Sequence, residues 1–251
     1  MAINNFPTPM VFAHRGACAH APENTLVSFE TALQHGAPAI EFDVKLTSDG
    51  EVVVIHDQTL DRTTDGRGDV RKFTLVELKK LDAGGKFDPS FKGEQIPTLR
   101  EVFESYGSKL LMNVELTNYA TPGDNLVDEV AKLVKKYQME DRVLFSSFLP
   151  RNLIQARKLC PEVPNGLLTL EGIQGRFLRI PGIFWIPREA LHPYFADVTP
   201  QLISREHDYG RRVHTWTVNK EDDLRRIYSM GVDAVFTDDP RLALQVIASL
   251  P

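Results

Sequence analysis

Cysteine is scarce in this chain of 251 residues: only Cys18 and Cys160 occur, in no paired spacing. That argues against a disulfide framework and against a thiolate zinc site. No stretch reaches the roughly 18 consecutive apolar residues of a membrane span. The N-terminal MAINNFPTPM lacks the charged and apolar regions of a secretory signal. The expectation is a soluble, cytoplasmic protein with no stable membrane association. Long basic runs are also missing, and the formal net charge is −5, so nucleic acid is not an expected partner. Neither GxGxxG nor GxxxxGK[ST] occurs, which removes the commonest open-sheet nucleotide folds. Internal repeats and low-complexity tracts are lacking too.

What is present is a long alternation of short apolar runs with helical patterns. Strands are expected at Met10–Arg15, Ala39–Lys45, Leu110–Leu116, Val143–Phe148, Gly166–Leu170, Val213–Val218 and Ala234–Thr237, with another inside Ile183–Val198. Helices are expected at Thr25–His35, Leu126–Gln138, Arg151–Leu159, Thr199–Tyr209, Glu221–Met230 and Arg241–Ser249. Asn24 can cap the first and Gly36 can end it; Asp239–Pro240 reads as a cap followed by proline at the first helical position. Repeated strand–helix units imply a parallel sheet covered by helices. About eight units in one chain of this length fit a closed (β/α)₈ TIM barrel, an α/β fold, as a single catalytic domain over 1–251. Asp49–Gly50 between β-prone runs marks a hairpin. Residues 57–97 are polar and turn-rich, with one short helical pattern near Leu75–Leu81, and read as a small insertion after the second strand.

Side chains alternate across a strand. In AIEFDVK, residues 39–45, Ile40, Phe42 and Val44 share one face, and Glu41, Asp43 and Lys45 share the other. The next strand repeats this, with Asn113, Glu115 and Thr117 opposite Met112, Val114 and Leu116. In a barrel the second face points inward. Two carboxylates about 6 Å apart repel by roughly 3 kcal/mol at an effective dielectric near 20. A cation, a basic partner such as Arg15, Lys45 or Arg188, or a shared proton must offset this. Three carboxylates without thiolate suggest a hard dication, Mg²⁺ or Ca²⁺. His14 ends the first strand and His56 ends the return strand of the hairpin, where two imidazoles could serve as acid and base. Arg15 offers a planar fork for phosphate oxygens.

These residues resemble the glycerophosphodiester phosphodiesterases, in the cytoplasmic bacterial or archaeal form. The resemblance runs through His14–Arg15–Gly16, Pro22–Glu23–Asn24–Thr25, Glu41–Phe42–Asp43–Val44, His56–Asp57 and Asn113–Val114–Glu115. It continues through Leu191–His192–Pro193, the run from Val213 to Asn219, and Phe236–Thr237–Asp238, covering nearly the whole chain in the family's order. It implies a (β/α)₈ barrel with an insertion after the second strand. It implies one divalent cation on Glu41, Asp43 and Glu115, His14 and His56 as the acid–base pair, and phosphate on Arg15. The implied reaction is cleavage of a glycerophosphodiester to glycerol 3-phosphate and an alcohol. Attack by the substrate's own 2-hydroxyl, through a cyclic phosphate, and direct attack by water both stay open.

Members often carry a lysine two residues after the third acid. Here that position is Thr117, and Lys45 is the expected substitute at the phosphate. Trp216 and Phe148 are expected to line the substrate pocket. Glu23, Asn24, Asn113 and His192 are expected to support it from behind, with Asp238 orienting a neighbour. Two alternatives share the residues. One is lysophospholipase D-like cleavage of lysophospholipid head groups, with an apolar groove built from Phe87, Phe91, Phe184 and Trp185. The other is a barrel that binds phosphorylated ligands without turnover.

Overall fold

Strand β1 (Met10–His14) lies between β2 (Ala39–Leu46) and β9 (Ala234–Thr237), parallel to both, and these pairings close the sheet on itself. The computed structural model describes residues 3, 6–179 and 186–250. Between β2 and β9 run β4 (Leu111–Leu116), β5 (Val143–Ser147), β6 (Asn165–Thr169), β7 (Ala190–Pro193) and β8 (Arg212–Thr215), each parallel to its neighbours. These eight strands form the (β/α)₈ barrel. Strand β3 (Val52–Val54) stands outside it, antiparallel to β2, with Val44 opposite Val54. The hairpin at Asp49–Gly50 is therefore present, with Gly50 in left-handed backbone.

Helices α1 (Leu26–Gln34), α4 (Leu126–Lys136), α5 (Pro150–Leu159), α7 (Pro200–Asp208), α8 (Glu221–Ser229) and α9 (Pro240–Ala248) match the expected ones to within two residues. Three more complete the set among the described residues: α2 (Leu75–Leu78), α3 (Leu99–Tyr106) and α6 (Gly172–Arg179). The sequence reading omits α3, although Thr98 and Glu101 form a reciprocal capping box at its start. It also omits α6, which opens on glycine and carries a polar stretch.

The two faces of the strands pack differently. Ile40, Phe42, Val44, Met112, Val114 and Leu116 meet Phe29 of α1, Leu99 and Val102 of α3, and Leu126 and Val130 of α4. This is the layer between sheet and helices. On the other face, Met10, Phe12, Ala39, Leu144, Ala190, Ala234 and Phe236 form a separate apolar group that fills the barrel interior. Each large side chain buried this way is worth about 2–3 kcal/mol. Along the same inward rows the residues become polar toward the C-terminal rim. Phe12 gives way to His14, Ala39 to Glu41 and Asp43, and Leu144 to Ser146. Register reinforces this, since Glu41 pairs with Asn113 and Asp43 with Glu115.

Residues 57–97 hold their own apolar group, in which Leu60, Val70, Leu78, Ala83 and Ile96 pack on Val53 and Ile55. Helix α2 falls within the expected helical pattern and carries a capping box of Thr74 and Glu77.

Strand β1 stops one residue before the expected end. Arg15 and Gly16 both take positive φ, 54° and 84°, and turn the chain out of the sheet. A Cβ on Gly16 would stand 2.2 Å from Ser28 Oγ and 2.7 Å from the Ser28 carbonyl carbon. Gly16→Ala therefore combines strained backbone with a clash against α1. It should lower the urea unfolding free energy by about 2 kcal/mol or more. An unchanged midpoint would show that the turn accommodates a side chain freely.

Candidate active site

The C-terminal rim holds a cavity of about 130 Å³. Its lining includes His14, Arg15, Glu41, His56, Asn113 and Glu115, with Phe148 and Trp216 forming an aromatic wall. Asp43 lies beside Glu41 and Glu115, and one oxygen from each acid falls within 4.8 Å of the others. Glu41 and Asp43 are almost wholly buried. Burial, Asp43 and Glu115 hold the Glu41 carboxyl well above its ordinary range. Burial and Asp43 push Glu115 up to about 8, against a hydrogen bond from Tyr119. Tyr119 Oη donates to Glu115 Oε1 at 2.6 Å.

Arg15 is the cation nearest the acids. Its backbone N–H donates to Glu41 Oε2 at 3.1 Å, and its Nε is 3.4 Å from Asp43 Oδ2. Burial opposes the guanidinium charge, but Asp43, Glu23 and Glu41 outweigh it. One guanidinium against three carboxylates leaves the cluster underneutralised. Glu41 Oε1 and Asn113 Oδ1 are buried and accept no hydrogen bond. Orphaned oxygens beside raised carboxyl pKa values fit an oxygen-ligated dication.

The two histidines are held alike. His14 Nδ1 contacts Asp238 Oδ1 at 2.7 Å, and His56 Nδ1 contacts Asp57 Oδ1 at 2.6 Å. Each carboxylate fixes its imidazole with the proton on Nδ1 and leaves Nε2 free. His14 Nε2 lies 4.0 Å from Glu41 Oε2. Asp238 is itself held by Asn219 Nδ2 at 2.6 Å and by the Cys18 thiol at 3.1 Å. Burial would raise the Asp238 carboxyl, but the His14 hydrogen bond and charge, with Cys18 and Asn219, bring it down to about 2.

Asn24, Lys45 and Arg188 are engaged elsewhere than the sequence suggests. Asn24 does not cap α1; Thr25 does, accepting from Ser28 N. Asn24 sits in left-handed backbone, φ 58°, and its Nδ2 donates to Asp43 Oδ2 at 3.0 Å. Lys45 is absent from the cavity lining. Its Nζ donates to Thr117 O at 2.9 Å and to Thr117 Oγ1 at 3.0 Å. Burial lowers its pKa, and those two oxygens occupy the ammonium. His192 stands behind the lining, fully buried in the barrel interior with its Nε2 3.2 Å from His214 Nδ1. Gly166 leaves room for it, since a Cβ there would stand 2.3 Å from the imidazole. Only the His192 carbonyl reaches toward the site, accepting from Trp216 Nε1 at 2.9 Å. Asn113 Nδ2 donates to Ser146 Oγ at 2.8 Å. Arg188 pairs with Glu206 at 3.6 Å rather than with the acid cluster. Phe87 and Phe91 meet edge to face at 5.7 Å, whereas Phe184 and Trp185 lie outside the described residues.

Sequence reasoning misses Arg62. Its Nε donates to Asp57 Oδ2 at 2.6 Å and its Nη2 to Asp57 Oδ1 at 3.0 Å. Its Nη1 and Nη2 reach Glu23 at 2.5 and 2.8 Å, and Glu23 Oε1 also accepts from Arg15 Nη1 at 2.8 Å. One guanidinium thus joins the carboxylate behind His56 to the carboxylate behind Arg15. Arg62 lies in an irregular turn far along the chain from Glu23, so no periodic pattern marks it. Tyr119 is missed as well; it lies just beyond the end of β4 and turns back to Glu115.

A closed barrel of eight parallel strands, with acids and imidazoles gathered in a cavity at its C-terminal rim, defines a (β/α)₈-barrel enzyme. The profile of the Glycerophosphoryl diester phosphodiesterase family matches residues 14–242. A glycerophosphodiester phosphodiesterase of Caldanaerobacter subterraneus subsp. tengcongensis is 41% identical over 241 residues, covering 95% of this chain and 97% of that one. Another, from Bacillus altitudinis, is 38% identical over 242 residues, covering 94% of this chain and 97% of its own. The solved structure of an Oleispira antarctica phosphodiesterase in complex with the product sn-glycerol-3-phosphate superposes with a TM-score of 0.86. It is 34% identical and covers 99% of each chain. The chain belongs to the glycerophosphoryl diester phosphodiesterase family.

Two outcomes follow from the site's electrostatics. Glu41 and Glu115 bind protons more tightly in the folded protein than in the unfolded chain. Folding stability without metal should therefore fall as pH rises from about 4.5, the ordinary carboxyl value, through about 8. Glu115→Gln removes one of the repelling charges and keeps an acceptor for Tyr119. In EDTA it should stabilise the protein by about 1–2 kcal/mol in denaturant titrations while weakening divalent-cation binding. Greater instability of the variant in EDTA would contradict a repulsive cluster.

Arg62→Ala leaves Asp57 and Glu23 without their shared cation. Phosphodiesterase activity should fall about tenfold or more with the far-UV spectrum unchanged, and Arg62→Lys should recover only part, because an ammonium cannot fork to two carboxylates. Full activity in Arg62→Ala would show that the bridge is dispensable.

Proposed function

We propose that the protein hydrolyses glycerophosphodiesters to glycerol 3-phosphate and an alcohol, with His14 and His56 as acid and base. The observation that carries this reading is the matched pair of imidazoles. Each has Nδ1 fixed by a carboxylate and Nε2 free at one cavity beside three acids. The sn-glycerol-3-phosphate bound by the Oleispira antarctica relative supports the same product class.

Glu41, Asp43 and Glu115 would hold one divalent cation, Mg²⁺ or Ca²⁺. When bound, it supplies charge neutralisation and polarises a phosphoryl oxygen. Arg15 binds a second phosphoryl oxygen and stabilises the charge that grows there. One histidine takes the proton of the attacking hydroxyl as its oxygen bonds to phosphorus. The other gives a proton to the alkoxide as the old P–O bond breaks. Asp238 and Asp57 keep each ring in register and stabilise it when charged, the role a buried carboxylate plays behind a catalytic histidine. Phe148 and Trp216, edge to face at 5.6 Å, give the glycerol carbons an apolar surface. Thr117 engages Lys45, which leaves phosphate charge to Arg15 and the cation. No helix among the described residues is long and apolar enough to cross a membrane.

The test is glycerophosphocholine hydrolysis with Mg²⁺ or Ca²⁺. EDTA should abolish turnover. His14→Ala and His56→Ala should each lower kcat by about 10²–10⁴. Near-normal kcat in either variant would remove that residue from the mechanism. Faster cleavage of lysophosphatidylcholine than of glycerophosphocholine would move the substrate class to lysophospholipids.

A further inference from the structure

A second group of metal-type ligands lies where the first and last strand–helix units of the barrel meet. His20 is in the loop after β1, His35 is the C-terminal cap of α1, and Asp239 is the N-cap of α9. One donor atom from each lies within 4.8 Å of the others. Asp239 divides its carboxylate between two tasks. Oδ1 accepts from Leu242 N at 3.1 Å, as a helix cap does, and Oδ2 faces His20 Nε2, also at 3.1 Å.

That second contact is short but not aligned as a hydrogen bond, and His20 Nε2 is a buried nitrogen without a hydrogen-bond partner. His35 Nδ1 is the same. The rings meet edge to face, with centroids 5.0 Å apart and planes at 83°. Buried imidazole nitrogens normally find a partner, and two orphans beside one free carboxylate oxygen share a single missing one. Burial, with His20 and Arg241, lowers the proton affinity of His35 against the pull of Asp239.

We infer that His20, His35 and Asp239 bind a transition-metal dication of the zinc class, separately from the acid cluster at the cavity. The donor types separate the two sites. Glu41, Asp43 and Glu115 offer only oxygen and suit a hard ion, whereas two imidazoles and one carboxylate suit Zn²⁺, with the fourth position left to water. The positive charge of nearby Arg241 makes binding weaker and more exchangeable than in a closed structural zinc site. A bound ion would tie the end of α1 to the start of α9 across the seam where the barrel closes. The other His-containing group is His14 with Asp238 and Cys18 behind its ring, already described.

The test uses the full chain in excess Mg²⁺, which occupies the oxygen cluster. Zn²⁺ alone is titrated calorimetrically, and thermal unfolding is followed with and without it. Wild type should bind one equivalent of Zn²⁺ and unfold at higher temperature in its presence. His20→Ala and His35→Gln should each lose about tenfold or more in zinc affinity, along with the thermal response. Both should keep Mg²⁺-supported hydrolysis and the far-UV spectrum. His35→Gln alone decides the matter if His20→Ala disturbs the loop. Absence of zinc binding in wild type would overturn the proposal. So would zinc binding that survives in a folded variant, since the ion would then sit elsewhere.

Discussion

Three carboxylates gathered inside a closed sheet are the constraint around which this molecule is arranged. Glu41, Asp43 and Glu115 stand within 4.8 Å of one another, and Arg15 is the only guanidinium among the described residues within salt-bridge distance of any of them. In water such a group would be screened; inside the barrel it repels and loses hydration at once. The fold tolerates it because the interior below is a well-packed apolar plug and the layer outside is packed against α1, α3 and α4. Stability is generated in those two layers and partly given up at the rim. That is the usual relation between a scaffold and a preorganised charged site.

Within the barrel interior is a pair of another kind. His192 and His214 are fully buried, touch through nitrogen, and face Phe236 and Phe12. Burial takes His192 down to about 3 and His214 well below its ordinary value, so both stay neutral. Neutral imidazoles here pack among the interior aromatic side chains without adding a buried charge. His192 earns its place through shape and its carbonyl, which fixes Trp216, rather than through proton transfer. A histidine in a motif is thus not equivalent to a histidine in the site, and burial separates the two.

The local parts of this design are legible in the sequence. Alternation in residues 39–45 and 110–117 places the acids on the enclosed face, and Asp239–Pro240 marks the start of α9. The hairpin follows from Asp49–Gly50. What is not legible depends on contacts between distant segments or on backbone that departs from the common regions. Asn24 reads as a cap because asparagine favours that position. The left-handed turn moves its side chain to Asp43 and passes the cap to Thr25. Lys45 lies on the enclosed face as alternation requires, yet alternation cannot say that Thr117 captures the ammonium. Helix α3 is short and follows a long irregular stretch, so its capping box is easily taken for one more turn.

Arg62 shows why residues 57–97 belong to the site. His56 comes not from a barrel strand but from the segment leaving β3, outside the closed sheet. Its position therefore depends on how residues 57–97 sit against the rim. The apolar group around Leu60 and Leu78 holds those residues together but carries no directional information toward His14. Direction comes from charge: His56 to Asp57, Asp57 to Arg62, Arg62 to Glu23, Glu23 to Arg15, and Arg15 to Asp43. Each link is an oriented contact between unlike partners, and the sequence of signs ends at the acid cluster. The repulsion that makes the rim costly is thus also what anchors the arginine chain that brings the second histidine to it. Neutralising the acids by substitution would relax the fold and loosen the anchor of His56 at the same time.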